Sequence, residues 1–204
     1  MYIPKNLKME GKAEIHNFIN EFGFGVIVSK SLTGTHLPFV LHREEGEHGV
    51  LYTHFAKPNR HWKELDGEEV LIIFSGPHSY ISPNWYAQPP AVPTWNYAAV
   101  HVYGKVSLLN DSQTLEVVEE VVHKYEPELL VKRDVITNEF RDKLLSGIVG
   151  CKIELSNIEG KLKLGQQRKP EDQIGVYNAL KNSKDLDAQS LAQYMEKLSL
   201  GLGN

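Results

Sequence analysis

The residues with most to offer chemically lie in Leu51-Tyr52-Thr53-His54-Phe55-Ala56-Lys57-Pro58-Asn59-Arg60-His61-Trp62-Lys63. An apolar strand runs out there into hydroxyl, imidazole and ammonium groups, then enters a short helix. Backbone N–H groups at a helix start lack partners, and the helix dipole favours an anion beside them. Thr53 and Lys57 are donor types that a phosphate accepts. Charge-assisted hydrogen bonds contribute roughly 1.5–3 kcal/mol each, so three or four would anchor a phosphate dianion. The same composition also describes a polar loop with Trp62 packed on a barrel, and composition does not separate the two.

Three other segments place small donors beside apolar or aromatic groups: Thr35-His36-Leu37-Pro38, Ser79-Tyr80-Ile81-Ser82 and Pro93-Thr94-Trp95-Asn96-Tyr97. Such walls suit a flat, partly polar ring, with apolar faces around it and donors at its edge. They suit equally a proline-restrained loop whose aromatics plug a barrel end. The stretch Lys161-Leu162-Lys163-Leu164-Gly165-Gln166-Gln167-Arg168-Lys169 holds four cations in nine residues. By charge it is a solvated linker, and it lacks the aromatic residue that would stack a nucleic-acid base.

Nine histidines raise the question of a metal. His36, His42, His48 and His54 recur at intervals of six, but a turn interrupts the strands, so the interval does not define one face. No H-E-x-x-H or paired-cysteine spacing specifies zinc, and no metal site is expected. Haem held by a single histidine stays open. There is no nucleophile elbow, phosphate-binding P-loop or dinucleotide fingerprint, and Gly23-Phe24-Gly25 lacks the third glycine. Cys151 lies in an apolar strand and is expected to be inert core. No catalytic residue follows from these patterns. Nor does a helix-turn-helix with a basic recognition helix, so direct DNA binding has no recognisable motif behind it.

The elements that must position these groups follow from hydrophobic period. Ile15, Phe18, Ile19 and Phe22 predict a helix over Lys12 to Phe22. Extended runs are predicted at 25–29, 35–41, 49–55, 69–74, 98–108 and 148–154, with Gly104 where a strand bends and Pro38 at an edge or bulge. The cluster Asn110-Asp111-Ser112 caps a second helix. Further helices are predicted at 138–145, from Pro170 to Lys181, and after Asp187. About six strands without regular alternation with helices predict an α+β fold: an antiparallel split β-barrel of Greek-key type with flanking helices. Residues 1–200 read as one domain and 201–204 as a frayed tail. The chain has 204 residues, a net charge of −4, a pI near 6.1 and one cysteine. These values argue against a broad basic surface that coats nucleic acid and point to a reducing, cytoplasmic setting. No secretory segment or membrane span is visible.

Taken in order, these blocks resemble the PaiB-type FMN-binding proteins, described as negative transcriptional regulators. The likeness runs through Met1-Tyr2-Ile3-Pro4, Thr35-His36-Leu37-Pro38-Phe39 and Thr53-His54-Phe55-Ala56-Lys57-Pro58-Asn59. It continues through Phe74 to Pro83, Val92 to Tyr97, Val100-His101-Val102-Tyr103-Gly104 and Lys161 to Arg168. Where the family pattern is K-L-S-Q-N, this chain has Gly165 and Gln167 at the serine and asparagine places. The resemblance implies a split barrel, a homodimer, and FMN near the subunit interface. It implies that Thr53, His54 and Lys57 hold the phosphate and ribityl end, that Thr35, His36 and Leu37 flank the ring, and that Tyr80, Ile81 and Ser82 lie nearby. Trp95, Asn96 and Tyr97 would close the pocket, and Lys163, Gln166 and Gln167 would add a lid. Regulation or a flavin-dependent redox step is the implied output, and a haem-binding or haem-degrading enzyme on the same barrel is the alternative.

Overall fold

The computed structural model describes residues 1–132 and 137–204. In chain order its main elements are α1 (Lys12–Glu21), β1 (Phe24–Val28), β2 (Gly34–Pro38), β3 (Val40–His42), β4 (Val50–Ala56), β5 (Glu69–Ile81), β6 (Thr94–Leu108), α2 (Asp111–Tyr125), α3 (Asn138–Leu145), β7 (Ile148–Lys163), α4 (Pro170–Lys181) and α5 (Leu186–Leu198). Among the described residues the seven strands form one sheet in the order β2-β1-β5-β6-β7-β4-β3. This is the α+β, antiparallel split-barrel class that the strand pattern predicts. The chain divides into two compact units: unit 1 comprises Met1–Met9, Ser75–Ala99 and Gly160–Asn204, and unit 2 comprises Glu10–Phe74 and Val100–Glu159.

In unit 2 the predicted strand at 35–41 is broken in two, which is why seven strands appear where about six are expected. Its first half, β2, pairs antiparallel with β1, and its second half, β3, pairs antiparallel with β4. The break falls at Pro38 and Phe39. Proline has no N–H to give a ladder, so β2 ends there as an edge strand. The next donor, Phe39 N–H, goes to Gly23 O at 2.7 Å. Pro38 O is met by the Thr53 hydroxyl at 2.7 Å. One bent run therefore serves both β1 and β4, and it closes the ring of strands in this unit.

Strand β4 pairs with β7 from Val50↔Glu154 to Ala56↔Ile148. Side chains alternate across a strand, so Leu51, Thr53 and Phe55 are buried while Tyr52 and His54 face the other way, half-buried. Gly104 answers to a close approach rather than to a free bend: a Cβ placed there would lie 2.5 Å from the Glu154 carbonyl oxygen. Helix α1 buries Ile15, His16, Phe18 and Ile19. Helix α2 opens on a capping box, Asn110 accepting from Gln113 N–H while the Gln113 side chain accepts from Asn110 N–H, which satisfies two orphan donors at once.

In unit 1 the Ser79-Tyr80-Ile81-Ser82 piece joins the end of β5 rather than standing alone. Strand β7 runs on to Lys163, so the first part of the basic run is strand, not linker. In the sheet β7 lies beside β6, and the N-terminal segment adds a Lys8↔Lys161 bridge and Met9 N–H on Gly160 O at 3.0 Å. Helix α4 begins at Pro170 as predicted. Helix α5 is capped by Asp185, which accepts from Asp187 N–H at 3.0 Å, two residues ahead of the predicted cap. At the C-terminus Gly201 is buried, and Gly203 N–H donates to Gln173 Oε1 at 3.0 Å.

Thr53→Val keeps the shape of the side chain and leaves Pro38 O without its donor. Unfolding in urea should show a loss of about 1–3 kcal/mol, and Thr53→Ser should recover most of it.

Candidate functional site

The predicted site residues fall into two groups, one in each unit. In unit 2, Thr35 is the centre of a small network. Its Oγ1 lies 2.8 Å from His61 Nδ1 and accepts from Asn59 Nδ2 at 3.3 Å, while Asn59 Oδ1 accepts from His61 N–H at 3.2 Å. Asn59 and His61 were not singled out by spacing. The signal for them was present in the polar run after β4, but a hydrogen bond to a residue 24 or 26 positions away has no local trace. Leu37 is buried, and His36 lies on the other face of β2, its ring 6.0 Å from that of exposed Phe24 at 26° between planes.

Thr53 and Lys57 reach different partners. The Thr53 side chain is buried and spends its one proton on Pro38 O, whereas Lys57 is exposed and its Nζ reaches Ser146 O at 3.2 Å. The short helix at Arg60–Glu64 is a single 3-10 turn whose start is already capped by Asn59. Pro58 has no N–H, and Lys57 N–H and Asn59 N–H are bonded to Gly147 O and Ala56 O. What the segment offers an anion is therefore side-chain charge: Lys57, Arg60 and Lys63 are exposed, and no carboxylate pairs with them among the described residues. Lys63 lies over the Trp62 ring at 5.6 Å, and Trp62 Nε1 donates to Lys57 O at 3.1 Å.

In unit 1, Asn96, Lys163, Gln166 and Gln167 line one cavity of about 330 Å³, together with Thr94, Tyr86 and Arg168. Lys163 Nζ donates to Thr94 Oγ1 at 2.6 Å and to Trp95 O at 2.7 Å. Exposed Trp95 meets half-exposed Tyr80 edge to face at 6.2 Å. Ile81 is fully buried, Ser82 caps the Pro83–Trp85 turn, and the Tyr97 ring lies 5.2 Å from Lys161 Nζ.

Burial lowers the pKa of His16, His54 and His61, most simply at His54, where desolvation is the sole cause. His54 Nδ1 is buried without a hydrogen-bond partner, as is His61 Nε2, which stands 3.5 Å from Glu64 Oε1. His42 is the opposite case. Burial pushes it down, but Glu120 at 2.7 Å and Glu45 at 2.6 Å outweigh that and raise it. The evenly spaced histidines thus occupy unlike settings, and among the described residues no group of three or more His, Cys, Asp and Glu is placed to hold a metal. Burial pushes the Cys151 thiol up to about 12, so it remains protonated near neutral pH. No described helix is long and apolar enough to cross a membrane.

Residues 1–157 match the model of a family described as "Putative FMN-binding domain". The chain belongs to this family. FMN is the cofactor that membership assigns to it. Over 202 residues the chain is 38% identical to the protease synthase and sporulation protein PAI 2 of Bacillus subtilis, covering 96% of this chain and 97% of that one. An uncharacterized protein of Emericella nidulans is 30% identical over 190 residues, 74% of this chain and 76% of its own. Among solved structures, the flavocytochrome Anf3 from Azotobacter vinelandii aligns with a TM-score of 0.58 at 13% identity, covering 80% of this chain and 73% of that one. The FAD and haem binding protein from Mycobacterium smegmatis aligns at 0.59 and 11% identity, covering 78% and 74%. At such identities the likeness establishes the split-barrel fold and nothing finer.

The donor set of this FMN-binding chain fits the cofactor's phosphate end. A phosphate dianion needs cations that are not already neutralised, and Lys57, Arg60 and Lys63 meet that need within seven residues. The exposed Phe24–His36 ring pair supplies an aromatic surface in the same unit.

The histidine shifts set a pH dependence. The imidazoles of His16, His54 and His61, and that of His101, likewise lowered by burial, contribute stability that is intact above the unfolded value of about 6.5 and is lost as pH falls below it. His42, shifted the other way, opposes this. The thermal midpoint should drop between about pH 7.5 and 5.5, and the drop should be smaller in His54→Gln.

Proposed function

We propose that the chain is a cytoplasmic, homodimeric FMN-binding protein of the PaiB type whose output is negative regulation of gene expression, with the redox state of the flavin as its input. The observation that carries the FMN assignment is the set of three cations without a carboxylate partner, Lys57, Arg60 and Lys63, on the segment after β4 whose Asn59 and His61 bond to Thr35 of β2. Lys57, Arg60 and Lys63 take the phosphate. Thr35, Asn59 and His61 hold one another in place beside it, and His54 stands neutral on the outer face of β4. His36 on β2, with Phe24 beside it, forms the wall toward the ring.

Bound FMN supplies reversible electron acceptance, which needs no acid–base pair or nucleophile from the protein. The protein's part is to bind, to orient and to set the local charge. The relative named for protease synthase and sporulation, matched over nearly its whole length, supports a regulatory output. A net charge of −4 argues for regulation that does not depend on coating DNA.

Purified protein should be yellow and should release FMN on denaturation. Lys57→Ala should weaken FMN by about ten- to 150-fold in a fluorescence titration, and an unchanged dissociation constant would remove Lys57 from the phosphate site. Titration with haem separates the alternative: a Soret band in protein that takes up no FMN would replace the flavin assignment by a haem one.

A further inference from the structure

We propose that the proton on His42 latches helix α2 to the sheet of unit 2 and so regulates the grip of Lys57 on the FMN phosphate. The regulation rests on the reading of Lys57 as a phosphate ligand; the latch itself does not.

The surroundings of His42 call for a proton on each ring nitrogen. Its Nδ1 lies 2.6 Å from Glu45 Oε1, in the turn after β3, and its Nε2 lies 2.7 Å from Glu120 Oε2, on α2. A neutral imidazole has one N–H, so it would meet one of these carboxylates with a lone pair, whereas the imidazolium donates to both. The two carboxylates are not equally free. Glu45 also accepts from the Tyr52 hydroxyl at 2.8 Å and stands 3.6 Å from Lys152 Nζ. Among the described residues Glu120 has no hydrogen-bond partner but His42. A ring that loses one proton therefore keeps the other on Nδ1, against the pinned carboxylate, and the bond to Glu120 is the one that breaks.

The groups that face His42 fix the sign. Strand β4 contributes Tyr52, whose ring lies 4.6 Å from the imidazole, β7 contributes Lys152, and α2 contributes Glu116 and Glu120. Helix α1 also packs on β3, but its His16 lies on the opposite face with Leu41. A Cβ at Gly49 would meet Leu41 Cδ1 at 3.0 Å and His16 Nε2 at 3.3 Å, and the same Nε2 is 2.9 Å from His48 O. Lys12 of α1 is spent on Glu47 O, and Arg43 and Glu44 act on His16. Burial pushes His42 down, yet Glu120 and Glu45 outweigh it and hold the ring above the usual imidazole value. A raised folded value gives a hold that is complete below the unfolded value of about 6.5 and is lost as pH rises through the folded one.

Helix α2 depends on this bond at one end only. Its first half is fixed by packing: Thr114 and Val117 are buried, and Gly150 N–H donates to Thr114 Oγ1 at 3.2 Å. No described residue of α2 beyond Val117 is buried. At steps of three and four the stripe that faces the sheet continues through Glu120 and Lys124, so charge takes over there from apolar contact. Lys124 Nζ is buried without a hydrogen-bond partner and adds no second tie.

The half that His42 holds leads to Lys57. Glu119, beside Glu120, accepts from Arg141 Nη1 of α3 at 3.2 Å. Helix α3 ends at Leu145, and the turn after it holds Lys57 twice. Lys57 N–H donates to Gly147 O at 2.8 Å and Lys57 Nζ to Ser146 O at 3.2 Å. With α2 docked, α3 and its turn present the lysine in one place; with α2 loosened, that support is lost.

Hydrogen exchange read by mass spectrometry, corrected for the chemical exchange rate, tests the latch on the full chain. Protection of residues 118–125 should fall about three- to fivefold between about pH 6.5 and about pH 9, the range expected of a partly exposed pair. The FMN dissociation constant in a fluorescence titration should rise by a similar factor. Glu120→Gln should abolish both changes, since an amide can donate to a neutral imidazole nitrogen as well as accept from its N–H. Glu116→Gln, which removes a charge from the same cavity but no bond to His42, should keep both. His42→Gln, which cannot titrate, serves in place of Glu120→Gln if that variant fails to fold. Protection that ignores pH in the parent, or that falls equally in Glu120→Gln, would overturn the proposal. Protection that falls while FMN affinity stays constant would overturn the regulation. An unchanged FMN dissociation constant in Lys57→Ala, with the fall in protection intact, would uphold the latch and remove the phosphate reading alone.

Discussion

A ring of antiparallel strands has to hand one strand from one neighbour to another, and at the point of transfer some backbone groups lose their ladder partners. Here the transfer occurs at Pro38 and Phe39. Proline removes one donor from the account, Phe39 N–H is taken by Gly23 O, and the remaining acceptor, Pro38 O, is satisfied by the Thr53 hydroxyl. Buried Phe39 packs edge to face on Phe74 at 5.5 Å beneath the same corner. Once Thr53 is committed inward, strand alternation leaves no choice for its neighbours. His54 must face outward, Phe55 inward, and the chain leaves β4 with Lys57 on the surface. The arrangement of the cations that follow is a consequence of that corner.

Charge is distributed unevenly for an acidic chain. Among the described residues, cations without an ion pair include Lys57, Arg60 and Lys63 in unit 2 and Lys161, Lys163 and Arg168 in unit 1, while several carboxylates are occupied elsewhere: Glu45 and Glu120 on His42, Glu64 on Ser29 and Ser31. Cations without partners contribute little to folding and much to the capture of anions. The first set suits the phosphate end of FMN.

Much of the fold was legible because it is written in local patterns. The apolar spacing of Ile15, Phe18 and Ile19, the cap at Asn110, the proline at 170 and the long alternation from Ala98 to Val106 each mark an element that forms where they say. Lys161 to Lys163 looks like linker by charge, but it is the end of β7, beside β6 in the sheet and bridged at Lys161 to Lys8. Asp187 looks like a cap, but the neighbouring Asp185 reaches its N–H first. The split at Phe39 depends on Gly23 and Thr53, neither of which is near enough in sequence to be counted.

The sequence by itself determined the fold class, the family blocks and the kinds of group available: a cationic turn after β4, ring-like aromatics, an inert cysteine. Those properties follow from residue type and short-range period, which need no partner to be read. Only the tertiary structure decided which of those groups are free. Thr53, named as a phosphate donor, is consumed by a carbonyl 15 residues away, and Gln166 is consumed by its own turn. Asn59 and His61 acquire a place beside Thr35. A hydrogen-bonding group serves a ligand only if the fold has not already used it, and that is settled by contacts between distant residues.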